Sequence, residues 1–135
     1  MPPKDEPSLA AVRRWAANSR FADKVNIGRA SWGGIFNGAL GNDVTPTMPY
    51  GTPYETWAPV FRERLLVRMR RSDGLVSLLR AIRGRKLWCP GCRTDSCKEG
   101  ICHGAVIAEM AEWLETTEGR SQFPIVHGEF GDHLS

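Results

Sequence analysis

Apolar residues recur at helical spacing in four stretches of the chain. Leu9, Val12, Trp15 and Ala16 share one face of a segment that Ser8 can cap, running to Arg20 with Arg13, Arg14 and Asn18 on other faces. Trp57, Val60, Phe61, Leu65 and Met69 mark the longest helix, Tyr54 to Arg71, whose arginines fall mostly on its other sides. Leu75, Leu78, Leu79 and Ile82 predict a second helix, capped by Ser72 or Asp73 and ended by Gly84. Val106, Ile107, Met110, Trp113 and Leu114 carry the same period from His103 to Glu115. Between these helices, Lys24 to Gly28 and Arg85 to Cys89 read as short strands. Phe123 to His127 reads as an edge strand, because Pro124 is tolerated only at an edge. Arg29 to Asn42 is a loop rich in Gly, Asn and Ser, and Pro46, Pro49 and Pro53 make Thr45 to Pro53 an extended connection.

Helices alternating with short strands predict an α/β fold: a short, mostly parallel sheet flanked by helices, with a cysteine-rich metal loop at residues 89–103. A chain of 135 residues with 41% apolar content supports one core, so residues 8–127 form a single expected domain. Residues 1–7 are expected to be disordered and residues 128–135 to be a flexible tail. In open α/β sheets ligands bind where strands end, so the Gly28 to Gly41 and Cys89 to Gly104 loops should converge. Met1-Pro2-Pro3-Lys4-Asp5-Glu6 lacks the layout of a signal peptide, and no apolar run approaches the roughly 20 residues that span a bilayer. The expectation is a soluble protein of the cytoplasm or nucleus, not secreted and with no membrane partner.

In a reducing compartment, four closely spaced cysteines read as metal ligands before disulfides. The spacing Cys89-x2-Cys92-x4-Cys97-x4-Cys102 opens with the Cys-x2-Cys knuckle of tetrahedral sites, and Pro90, Gly91 and Gly100 permit tight reversals. Zinc suits four thiolates, and its binding would order a loop with almost no apolar residues of its own. Three alternatives stand beside it. An iron–sulfur cluster shares the ligands but not the usual spacing. Disulfides need an oxidising setting or a sensing role. A reactive Cys102, at the start of a helix whose dipole lowers thiol pKa, would have His103 beside it as proton carrier or substitute ligand.

The net charge of +3 is unevenly placed: Arg62 to Lys86 holds nine basic residues against two acidic ones, and the rest of the chain is net negative. Such a patch attracts phosphates or nucleic acid, although a solvated helix face has the same composition. Gly28-Arg29-Ala30-Ser31-Trp32-Gly33-Gly34-Ile35-Phe36-Asn37-Gly38 directly follows a strand. Its backbone N–H groups and Arg29 could cradle a phosphate, with Trp32 or Phe36 stacking on a ring.

The Gly-Arg segment with Trp32, Gly33 and Phe36, the Arg-Gly-Arg-Lys-Leu-Trp-Cys stretch from Arg83 to Cys89, and Cys102-His103-Gly104 together resemble the DUF4326 family, small domains of undefined function. The resemblance spans Val25 to Leu114. It differs at Gly34-Ile35, where the family has Asn-Pro, and at Ala105, where it has Asp. What the resemblance implies is a nucleotide-related pocket built from Gly28, Arg29, Trp32, Gly33, Cys102, His103 and Gly104. The leading expectation is therefore a zinc-binding α/β domain that holds a nucleotide or phosphorylated small molecule. In it Arg29 pairs with phosphate, Gly33 and Gly104 permit close approach, and His103 is the acid/base if hydrolysis or transfer occurs. A basic nucleic-acid-binding module using Arg64, Arg68, Arg71, Arg85 and Lys86 is the first alternative, and a protein-interaction scaffold the second.

Overall fold

The computed structural model describes residues 6–18, 25–44, 47–49, 51–89 and 102–125. In chain order the elements are α1 (Leu9–Asn18), β1 (Val25–Asn26), a 3-10 turn (Ala30–Trp32), one irregular turn α2 (Ile35–Gly38), α3 (Tyr54–Arg71), α4 (Asp73–Ile82), β2 (Leu87–Trp88), α5 (His103–Trp113) and α6 (Thr117–Gln122). Helix dominates, and the sheet is one parallel pair with Val25 opposite Leu87 and Asn26 opposite Trp88.

The middle of the molecule is α4. Leu75, Leu78, Leu79 and Ile82 are buried, and so are Gly74, Val76 and Ser77, so this helix is covered on most of its sides. Its N-terminus is closed by Ser72, whose hydroxyl accepts the Leu75 N–H at 3.0 Å. α1 lies across α4, and Gly74 is what lets it approach: a Cβ there would stand 1.9 Å from the Pro7 carbonyl oxygen. The Ser8 cap of α1 is in place, its hydroxyl accepting the Ala11 N–H at 3.1 Å. α3 and α5 pack against α4 and each other, burying Trp57, Phe61, Leu65 and Met69 from one side and Val106, Ile107 and Met110 from the other.

The chain after α5 departs from the sequence expectation. Thr116 caps α6 by accepting the Gly119 N–H at 3.1 Å, so Thr117 to Gln122 is helical where no element was expected. Phe123 then ends that helix instead of opening a strand: its ring meets Trp113 edge-on at 6.0 Å, and its carbonyl accepts from the Arg80 guanidinium. No strand forms over Phe123 to Ile125, and Val126 and His127 lie outside the described residues. The other elements fall close to their expected bounds, with both strands shortened to two residues. No helix among the described residues is long and apolar enough to cross a membrane.

Candidate metal centre and the loop beside it

The parallel pairing of β1 and β2 brings two distant parts of the chain side by side. Cys89 follows β2 directly, and Cys102 caps α5 with its sulfur accepting the Gly104 N–H at 3.5 Å. Both thiols are buried, as is His103, which is 4% exposed. The His103 Nδ1 lies 3.5 Å from the Cys102 Sγ and 3.8 Å from the Cys89 Sγ. The three donor atoms all lie within 4.8 Å of one another, a group that could hold a metal ion.

The other ring nitrogen settles the tautomer. His103 Nε2 is 2.8 Å from the carbonyl oxygen of Ile27, which can only accept. Nε2 therefore carries the proton, and in the neutral ring Nδ1 turns a lone pair toward the two sulfurs. Metal-ligating histidines characteristically donate their second nitrogen to a carbonyl in this way, which fixes the ring plane. A tetrahedral zinc ion, bonded at roughly 2.3 Å to sulfur and roughly 2.0 Å to nitrogen, would space such ligands by about 3.5 Å. The 3.5 and 3.8 Å separations match that spacing. Phe61 covers the imidazole edge-on at 5.6 Å, as the inner end of a run of ring contacts from Tyr54 through Trp57. Burial, then Glu109 and Cys102, hold the Tyr54 hydroxyl above its ordinary pKa.

Of the four cysteines expected to bind together, the structure brings Cys89 and Cys102 to one place and adds His103. Cys92 and Cys97 lie outside the described residues. From the sequence, His103 was read as the acid/base if chemistry occurs, or as a substitute metal ligand beside Cys102. The structure buries it and directs both nitrogens at protein atoms.

The glycine loop starts one residue after Ile27 and folds tightly on itself. Beta carbons on Gly34 and Gly38 would stand 1.8 Å from the Gly28 oxygen and 2.4 Å from the Ala30 nitrogen. These glycines are therefore required for backbone packing, a signal that sequence alone cannot separate from a phosphate cradle. Phe36 and Asn37 both adopt left-handed backbone, φ 50° and 58°, and Phe36 packs edge-on against Trp15 at 5.9 Å. Arg29 and Gly33 are exposed at the start of the loop, and the Arg29 Nε donates to the Asn42 carbonyl at 3.2 Å. Trp32 ends the 3-10 turn, and Gly104 sits buried behind the loop against the Ile27 side chain. Ile27, just before the glycine loop, thus meets His103 at the start of α5, while residues 90–101 of the second loop lie outside the described residues.

The basic residues singled out from the sequence differ in their surroundings. Arg68 holds Glu6 through two bonds of 2.6 and 2.9 Å and also donates to the Ala39 carbonyl. Arg85 lies over the Trp15 ring at 4.8 Å, and Arg64 stands 4.0 Å from Asp43. Arg71 and Lys86 are exposed. A cleft of about 220 Å³ is lined by residues that include Met69, Arg70, Val76, Arg80 and Phe123, and by none of the residues singled out from the sequence as ligand-binding. No family model matches the chain, and no curated protein or solved structure is significantly similar to it.

Proposed function

We propose that this chain is a zinc-binding α/β domain in which the ion staples the end of β2 to the start of α5. The observation that carries the reading is the His103 tautomer: a ring with its Nε2–H committed to Ile27 presents an Nδ1 lone pair beside two buried thiols. The fourth ligand is assigned to the segment between Cys89 and Cys102, where Cys92 completes a Cys-x2-Cys knuckle and Cys97 is the alternative donor. An ion there would replace a polar loop's missing apolar core with coordination energy, so metal removal should loosen the fold. The Gly28 to Gly41 loop is read as the face that meets a nucleotide or phosphorylated small molecule, on the strength of exposed Arg29 at its start and the DUF4326 likeness.

The test is elemental analysis of the purified, untagged protein under reducing conditions, with thiols counted before and after chelation. About one zinc per chain is expected, with protected thiols released and thermal stability lost when the ion is stripped. A metal-free protein whose stability ignores chelator would overturn the zinc reading. Calorimetry with nucleoside phosphates, comparing the parent with Arg29→Ala, tests the second half. Binding that depends on Arg29 supports it, and no binding by either protein removes it.

A further inference from the structure

We propose that His103 is a two-sided residue, facing the ion with Nδ1 and holding Ile27 with Nε2–H, so that occupation of the metal centre sets the conformation of the Gly28 to Gly41 loop. The inference rests on the zinc reading above and adds its consequence for the rest of the molecule. It begins with the backbone of Ile27, the last residue before the loop. The Ile27 N–H donates to the Trp88 carbonyl at 2.9 Å, and the Ile27 carbonyl accepts from His103 at 2.8 Å. Trp88 adjoins Cys89 and His103 adjoins Cys102, so each hydrogen bond of Ile27 leads to a metal donor within one residue. The Ile27 side chain closes the same contact, with Cδ1 3.1 Å from where a Cβ on Gly104 would lie.

The residues after Ile27 are packed so that they move with it. The Gly28 carbonyl is wedged against Gly34 and Gly41, and the Gly34 N–H donates to the Arg29 carbonyl at 3.1 Å. Gly41 N–H closes the far end on the Gly38 carbonyl at 2.9 Å, and Arg29 reaches Asn42 across the neck. The loop is thus a self-packed unit joined to the metal centre through Ile27. Without an ion the Nδ1 side of the imidazole meets only two thiols, which are weak partners. With an ion bound, coordination fixes the ring plane and draws electron density from the ring, which makes Nε2–H a stronger donor to Ile27. The effect reaches Arg29, two residues beyond Ile27, which is how occupancy would govern what the loop presents to a ligand.

The experiment is backbone hydrogen exchange on the full chain, in zinc-loaded and chelated protein and in zinc-loaded His103→Cys, with zinc content measured in each. His103→Cys keeps a thiolate for the ion but has nothing to donate to Ile27. The expected result is that the Gly34, Gly38 and Gly41 amides exchange about tenfold faster after chelation and in the loaded variant, the change worth one net hydrogen bond, while Leu78 and Leu79 amides in α4 stay protected in that variant. Zinc bound with loop exchange indifferent to both perturbations overturns the coupling and leaves the zinc reading intact. A wild-type protein that binds no metal overturns both. If His103→Cys does not fold, the wild-type imidazole decides. Loaded with an NMR-active cadmium isotope, it should show Nδ1 coupled to the metal and a slowly exchanging Nε2–H. An unmetallated ring, or one metallated at Nε2, overturns the proposal.

Discussion

Gly34→Ala isolates the packing that holds the loop together. Gly34 has φ −57° and ψ 140°, a conformation alanine adopts without strain, so the substitution carries no backbone penalty of its own. Alanine would even gain about 0.4–1 kcal/mol by restricting the unfolded chain. Against this, its Cβ would stand 1.8 Å from the Gly28 oxygen and 2.7 Å from the Gly28 carbon, both backbone atoms that no side-chain rotation can move. Reaching ordinary contact means opening the loop by about 1.5 Å, which also breaks the Gly34 N–H to Arg29 carbonyl bond. Overpacking costs about 1–3 kcal/mol and the lost hydrogen bond about 1 kcal/mol, so steric cost outweighs entropy and a net loss of about 1–3.5 kcal/mol is expected. Gly84 is the control, with φ +79° and open space around its missing Cβ, so Gly84→Ala should lose only about 1 kcal/mol, from conformation alone. Urea unfolding of the three proteins in reducing buffer at fixed zinc measures both differences. A Gly34→Ala protein as stable as the parent would refute the claim that these glycines serve close packing.

Three further expectations come from other parts of the fold. The Ser77 hydroxyl is fully buried with no hydrogen-bond partner among the described residues, so Ser77→Ala should leave stability unchanged or raise it by about 1 kcal/mol; a loss above that in the urea midpoint would mean a partner exists. Arg68, mostly buried between Glu6 and the Ala39 carbonyl, should cost about 2–3 kcal/mol as Arg68→Met, with little dependence on salt; a loss abolished by moderate salt would show the pair to be an ordinary surface contact. Tyr54 should ionise above its ordinary value near 10.0, and because its folded pKa is raised, its contribution to stability is present below that value and lost as pH rises through the higher one. Spectrophotometric titration of the parent against Tyr54→Phe checks this, and Glu109→Gln should bring the Tyr54 transition back toward the ordinary range; a Tyr54 transition at or below 10.0 would contradict the placement.

The sequence by itself determined the elements whose signals are local. Helical period placed α1, α3, α4 and α5, Ser8 and Ser72 announced their caps, and two short apolar runs marked the strands that pair. The stretch after α5 was misjudged because Phe123 to His127 has strand composition, while the Thr116 cap and the packing of Phe123 on Trp113 depend on what surrounds them. Cys89 and Cys102 were legible as partners from their spacing. His103 was legible as a candidate ligand from its place beside Cys102, but its tautomer was not, because that depends on a carbonyl 76 residues away in the chain, and only the pairing of β1 with β2 places that oxygen against the ring. The same holds for the glycines and for Arg68. Spacing along the chain records what repeats every turn of a helix or every second residue of a strand, whereas a donor finds its acceptor, and a glycine its tight neighbour, only when distant segments are packed into one core.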